Sequence, residues 1–404
     1  MSNGALAGLK VVEWGNFISA AYCTKLMADF GADVIKIEEP LVGDEARHHG
    51  PFLHDFPHPE RSGLFLFLNT NKLGITLNVK SATGKEIFKR LIKDADILVE
   101  NNPPKLVKGL GLDYGTVSKI NPRLVVASIT PYGQTGPYKD YKAYDLNSSA
   151  AGGLSCGIGY SGSSPLVLPL SQCHYQGALG GACASLLAIV ARDVTGKGQH
   201  ADVSEAEVCA TLQVGTYMPQ YIFYGVVGMR TGHRGGLGRY PTGILPCEDG
   251  YVCITAPRVD QWIRFTELMG SPEWAKNPRY RDRRAMQEEY PDEADALLAP
   301  WLTSHTKADI FESGQGHRVP LAPVNTVAEV VNDSHLRTRG FFVEFERAEV
   351  GKLKYPGAPY KMSKTPWRIE RPAPLIGEHN EEVYCNRLGY SREELAWLRR
   401  GGIV

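Results

Sequence analysis

The sequence predicts an α/β protein, with a Rossmann-like large domain built on a parallel sheet and a smaller α+β domain after it. Two observations carry this. Short apolar runs alternate with stretches of helical periodicity as far as Ser128, and the composition changes near Gly228. Leu9–Trp14 is the first β-run, and Cys23–Phe30 follows with helical spacing. Ala32–Glu38, rich in Val and Ile, is the second strand. Lys85–Lys93 places Ile87, Leu91 and Ile92 on one face of a helix, and Asp96–Val99 and Leu124–Ser128 read as buried strands. Strand and helix in this alternation imply parallel pairing through right-handed crossovers. No GxGxxG opens the first helix, so a dinucleotide is not expected.

The most informative stretch runs from Asp29 to Glu38 and on through Gly43, Asp44 and Arg47. A helix end passes through a glycine turn into a buried strand, which delivers charged groups at its C-terminal tip. Ligands of open parallel sheets bind at such tips.

Farther on, Gly177–Ala191 is rich in Ala, Gly and Leu, which suits a helix packed closely against its neighbours. A glycine turn, Thr195–Gln199, ends it, and His200–Ser204 begins another strand. Gly196-Lys197 is no phosphate loop, because neither Ser nor Thr follows the lysine. The expected division is a large domain over 1–225, a small domain over 226–330, and a segment over 331–404 that returns to the large domain. The small domain opens with the strand Tyr251–Thr255 and holds helices near Gln261–Met269 and Ala294–Thr303. The glycine loop Gly232–Gly238 lies at the composition change, where an inter-domain turn is expected. Prolines 356, 359, 366, 372 and 374 predict an extended tail, and a Ser391 cap starts a last helix.

The 404 residues include 44 basic and 44 acidic side chains, a balance that argues against a nucleic-acid partner. No continuous apolar run reaches the roughly 18 residues of a membrane helix, and the N-terminus lacks the basic and apolar regions of a signal peptide. Eight scattered cysteines without CxxC spacing read as reduced core thiols, which makes the cytoplasm the expected compartment. His48, His49, His54 and His58 sit in a Pro-rich loop without a metal-ligand pattern, so no metal is expected. Arg279, Arg281, Arg283 and Arg284 read as a solvated helix start.

Further segments align in order with one known pattern. Asn69–Lys72 with Ile75–Lys80, the pair Glu100-Asn101 with Leu110–Leu112, Ser128–Pro137, and Thr195–Gln199 with Asp202–Ser204 join the opening stretch. In this sequence and spacing they resemble the class III CoA-transferases, the CaiB/BaiF family, over at least the first 210 residues. The resemblance implies an interlocked dimer in which each subunit is a ring threaded by the other. It implies a coenzyme A thioester and a dicarboxylic acid as substrates, and no permanently bound cofactor. By position, Asn16 and Phe17 would lie near the thioester and pantetheine. Leu77 and Lys80 would meet the adenine and phosphate end, with Asn101 on the pantetheine arm and Lys142 as a further contact. Tyr144, Asp145, Gln172 and Cys173 would line the reaction centre.

One departure from the family pattern is chemical. The family's nucleophilic Asp belongs to a G-D-x-x-x-G segment, and here Ser171–Gly177 puts Cys173 in that slot. No Asp or Glu occurs from Leu146 to Arg192. A carboxylate attacks the donor acyl-CoA, and the CoA thiolate then attacks the resulting anhydride, leaving CoA on the enzyme. A thiol can take the acyl group, but it cannot carry CoA as a thioester. Three readings stay open: a non-catalytic subunit beside a homologous catalytic one, a transferase using Asp145, or a CoA-binding protein of another role. Family racemases pair His with Asp where Tyr144 and Cys173 stand, so the resemblance does not imply a racemase. His174 reads as a packing residue, since neighbours on a helix point about 100° apart.

Overall fold

The computed structural model describes residues 4–213, 217–228, 230–235, 238–347 and 349–404. The chain divides into two compact units. The first comprises residues up to 154, 168–213 and 335–404; the second comprises 155–167 and 214–334, taken over the described residues. Segment 155–167, which the sequence leaves in the large domain, thus groups with the second unit.

The first unit is built on β1 (Lys10–Trp14), β2 (Asp33–Glu38), β3 (Leu73–Thr76), β4 (Ile97–Glu100), β5 (Val125–Thr130) and β6 (His200–Ser204). They form one parallel sheet in the order β3-β2-β1-β4-β5-β6. The order reverses between β1 and β4, where Val12 pairs with both Ile35 and Leu98. Its helices are α1 (Ser19–Ala28), α2 (Gly63–Leu68), α3 (Ala82–Lys93), α4 (Pro104–Leu110), α5 (Tyr114–Ile120), α6 (Asp145–Ala151), α7 (Gln172–Thr195) and α8 (Glu205–Thr211). Strand alternation sorts the core into two layers. Val12, Ile35, Ile37 and Leu98 meet Ile87, Phe88 and Leu91 of α3, while Val11, Val34, Val99 and Ala127 meet α1 and α7. The α7 helix is long and apolar enough to cross a bilayer by composition. Gly177, Ala178, Gly181, Ala182, Ser185 and Ala188 nevertheless bury one face of it within the protein, as core helices do.

The α1 side of the sheet also holds charge. Lys36 Nζ lies 2.6 Å from Glu13 Oε1 and 2.6 Å from Asp44 Oδ2, and Lys72 Nζ lies 2.8 Å from Glu13 Oε2. Glu38 pairs with Arg47 at 2.7 Å, and the Arg47 guanidinium stacks 3.6 Å over the Phe65 ring. All six of these charged residues are almost fully inaccessible, and three acids balance three bases. Burial alone would raise the Glu13 pKa, but Lys36 and Lys72 hold it down at about 2.

The last 70 residues of the first unit include a hairpin, Phe342–Arg347 with Gly351–Pro356, that the prolines of the tail concealed. Beyond it the extended tail is pinned along the β3 edge. Asn71 Oδ1 accepts the Glu370 and Arg371 amides, and Thr76 donates its amide to Asn380. The closing helix, Arg392–Arg400, has its Ser391 cap.

The second unit contains an antiparallel sheet of β7 (Thr242–Cys247), β8 (Gly250–Thr255) and β9 (Leu321–Pro323), packed on Trp262, Phe265, Leu298 and Ile310. The strand Thr242–Cys247 precedes the expected opening strand; Pro246 within it hides the β pattern. Arg283 corrects the reading of a solvated arginine run. It is buried and donates to the carbonyls of Ala256 and Pro257. Gly236 and Leu237 of the glycine loop lie outside the described residues.

Removing one member of a buried charge pair strands the other. Glu13→Gln should therefore cost about 3–5 kcal/mol in urea melts at pH 7. In the native protein the Glu13 contribution is present above the ordinary carboxylate value of 4.5 and is lost as pH falls through about 2. A loss below about 1 kcal/mol at pH 7 would show that the lysines need no counter-charge.

Candidate functional site

At the sheet's C-terminal edge, a cavity of about 390 Å³ opens between the tips of β1, β2 and β3. Asn16, Leu77 and Lys80 line it together with Glu39 and Glu45. Asn101 stands behind Asn16 and bonds to it twice, accepting its amide at 2.9 Å and donating to its carbonyl at 2.7 Å. Gly15 permits this, because a Cβ there would come within 2.9 Å of Asn101 Oδ1. The Asn16 side chain accepts the Glu45 amide at 2.8 Å. Lys80 meets Glu39 at 3.2 Å, but both side chains are more than half exposed, so the pair is readily exchanged for a ligand anion. Lys142 does not join this group; it is exposed on the loop before α6 and is not part of the cavity wall.

Phe17 connects the cavity to a second cluster. Its backbone is left-handed (φ 65°), a strained state for a residue with a Cβ, and its amide is held by Asp44 Oδ1 at 3.0 Å. The ring lies tilted against His49, with centroids 4.8 Å apart, and meets His174 edge-on at 5.9 Å. Asp44 therefore belongs at once to the buried charge network and to the Phe17 turn.

The second cluster gathers where α6, α7 and α8 begin. Tyr144 is exposed beside the start of α6, and Gln172 is the first residue of α7. Asp145 Oδ1 accepts the His174 amide at 3.0 Å, which caps the first turn of α7. Cys173 is inaccessible, and its Sγ lies 2.6 Å from Cys209 Sγ. His174 turns away from Cys173 and places Nδ1 2.8 Å from Glu205 Oε1; Ser148 donates to the other Glu205 oxygen at 3.2 Å. Gly177 makes room for this, since a Cβ there would lie 2.8 Å from Glu205 Cγ. Burial would lower the His174 pKa, but the Glu205 hydrogen bond and charge raise it. Cys209 raises the Cys173 pKa strongly, with burial adding to the effect.

Glu205 and Cys209 escaped the sequence reading. The signal was available: Ser204 caps α8, and residues four apart on a helix share a face. On the β4 tip, burial raises Glu100 to about 7. In the histidine loop, His48 meets the Val42 carbonyl, His49 that of Glu45, and His58 accepts the Glu60 amide. Among the described residues no group of three acidic, His or Cys side chains is placed to hold a metal ion.

The model of CoA-transferase family III matches residues 6–380. The chain belongs to this family. It is 32% identical to the succinyl-CoA–L-malate CoA-transferase beta subunit of Chloroflexus aurantiacus, over 99% of this chain and 98% of that one. It is also 32% identical to the formyl-CoA:oxalate CoA-transferase of Streptomyces coelicolor, over the full length of both. Identity to subunit BbsE of the succinyl-CoA:(R)-benzylsuccinate CoA-transferase of Thauera aromatica is 32%, over 95% and 94% of the two chains. A CaiB/BaiF family crystal structure from Brucella suis superposes with a TM-score of 0.85 at 28% identity, covering 95% of this chain and all of that one. Membership supports a CoA-transferase whose substrates are CoA thioesters.

The His174–Glu205 pair sets a pH test. A histidine with a raised pKa contributes its full stabilisation below the ordinary imidazole value of 6.5, and loses it as pH rises through the folded value. Glu205→Gln should thus cost roughly 1–2 kcal/mol more at pH 6 than at pH 9 in paired urea melts. An equal cost at both pH values would mean that the pair is neutral throughout.

Proposed function

We propose that this chain is the non-catalytic subunit of a family III CoA-transferase, and that a homologous partner subunit supplies the nucleophilic carboxylate. The reaction would move CoA from succinyl-CoA to an aryl-substituted succinate such as (R)-benzylsuccinate. The observation that carries the reading is the slot itself. Cys173 stands there, fully buried and hydrogen-bonded to Cys209, in a stretch free of acids from Leu146 to Arg192. Two of the three relatives are named as subunits, and all three act on dicarboxylic acids, which supports an acceptor of that class. Asn16, Phe17, Leu77, Lys80 and Asn101 would hold the CoA thioester, with Lys142 reaching it only if its loop moves. Tyr144, Asp145 and Gln172 would form walls of the acyl end.

A partner of the same fold also suits the surface. Leu187, Val190 and Val194 are 69%, 64% and 86% exposed and form one apolar stripe along α7. An exposed stripe of this kind marks an interaction face, and an interlocked assembly would cover it. The compartment expected of such an enzyme is the cytoplasm.

Asp145 supports a second reading, a self-sufficient transferase, because its carboxylate lies within the first turn of α7 beside the slot. A CoA-binding regulatory subunit without a transferase partner is the third. Incubation with succinyl-CoA followed by hydroxylamine or borohydride tests the first two. The chain alone should give no adduct and no turnover, whereas a CoA-derived adduct on Asp145 would make the second reading correct. Co-purification then separates the first from the third: a stoichiometric subunit of similar mass carrying a G-D-x-x-x-G segment is expected.

Introducing a carboxylate by Cys173→Asp should restore activity only weakly, at least about 100-fold below an intact transferase, because a misplaced nucleophile forfeits most of the gain from proximity. Full activity would show that nothing but the acid is missing.

A further inference from the structure

Two thiols face each other at the slot, and the transferase assignment makes no use of them. Cys173 is the second residue of α7 and Cys209 the fifth of α8. Their Sγ atoms are 2.6 Å apart, so an S–S bond of about 2.05 Å needs only a small closing movement. All eight cysteines are unbridged, and no other two share a hydrogen bond among the described residues. Helix packing sets this closeness. A Cβ on Gly180 would lie 3.3 Å from Val208 Cγ2, and one on Gly152, at the end of α6, would lie 2.7 Å from Cys209 Cβ. Three helices converge on the pair without a bulky residue between them. The pair also shares its proton unequally: Cys173 is pushed up, while its hydrogen bond lowers Cys209 and makes that the readier thiolate.

We propose that Cys173 and Cys209 form a reversible dithiol–disulfide couple, a redox modification site oxidised by low-molecular-weight disulfides. The Cys209 thiolate attacks one sulfur of the oxidant RS–SR and expels RS⁻, which takes up the proton released by Cys209. Cys173 then loses its proton and attacks Cys209 Sγ, expelling the second RS⁻, which leaves as RSH. Two electrons pass from the cysteine sulfurs to the oxidant, and two thiols depart. The new bond ties the first turn of α7 to α8 across a sequence separation of 36 residues. That turn carries the His174–Asp145 and His174–Glu205 bonds, so oxidation locks the junction of the three helices.

The test equilibrates the purified protein, with any subunit that co-purifies, in buffers of reduced and oxidised dithiothreitol. Because equilibrium is measured, burial of the thiols sets only the time needed. Samples are acid-quenched, alkylated under denaturing conditions, digested and mapped by mass spectrometry. A single redox transition should convert two alkylated peptides into one peptide linking Cys173 to Cys209. Cys209→Ser should abolish the linked peptide and leave Cys173 alkylated throughout. The oxidised wild type should melt a few degrees above the reduced form, a shift absent from the variant. Both cysteines remaining alkylated across the whole range, or either pairing with a different cysteine, would overturn the proposal. The wild-type map decides the matter even if the variant fails to fold.

Discussion

The charge network on the α1 side of the sheet is the constraint on which the rest depends. Charges buried this deeply are tolerated only when each is matched and hydrogen-bonded. Here Glu13 serves two lysines, and Thr24 donates to one of its oxygens at 2.6 Å. Lys72 also donates to the Ala21 carbonyl and Asn69. The network reaches the binding edge through Asp44, which neutralises Lys36 with one oxygen and holds the Phe17 and Ala46 amides with the other. The strained Phe17 turn is thus fixed by the same ion cluster that completes the core. Stability and site geometry are one requirement at this point.

A second constraint is the small-residue face of α7. Gly181 would put a Cβ 2.5 Å from Ile129 Cδ1, so the helix packs directly on the Ile129 side chain of β5. The same closeness brings Glu205 beneath His174 and Cys209 against Cys173. The electrostatics of the slot are therefore a product of packing: side chains from α6, α7 and α8 meet because Gly152, Gly177 and Gly180 let the three helices approach closely.

The parts of the fold legible in the sequence are those whose physics is local. Buried parallel strands read as continuous apolar runs, and Val34, Ile35 and Ile37 announce β2. Helical spacing becomes legible only at Cys23, although α1 begins at Ser19, because Ser19, Ala20 and Ala21 carry little apolar signal despite being buried. Pro246 hid one strand and the proline-rich tail hid a hairpin, since proline normally argues against a sheet. Arg283 looked solvated because its carbonyl acceptors lie 26 and 27 residues away. The candidate site divides in the same way. Asn16, Leu77 and Lys80 come from motif segments and line one cavity, whereas Lys142 carries no local signal to place it and lies apart. Glu205 and Cys209 became legible only after α7 and α8 were seen to pack together.

The charge count at the slot suggests why a cysteine is stable there. Asp145 caps the first turn of α7, and Glu205 pairs with His174 of the same turn, so two carboxylates already face this end of the helix. A further carboxylate buried at position 173 would add to the negative charge of Asp145, and burial would disfavour its ionised form. A neutral thiol avoids that cost, while His174 partners Glu205 and Cys209 supplies the hydrogen bond that a buried polar atom requires. Restoring the acid alone therefore leaves Asp145, His174 and Glu205 arranged around a thiol.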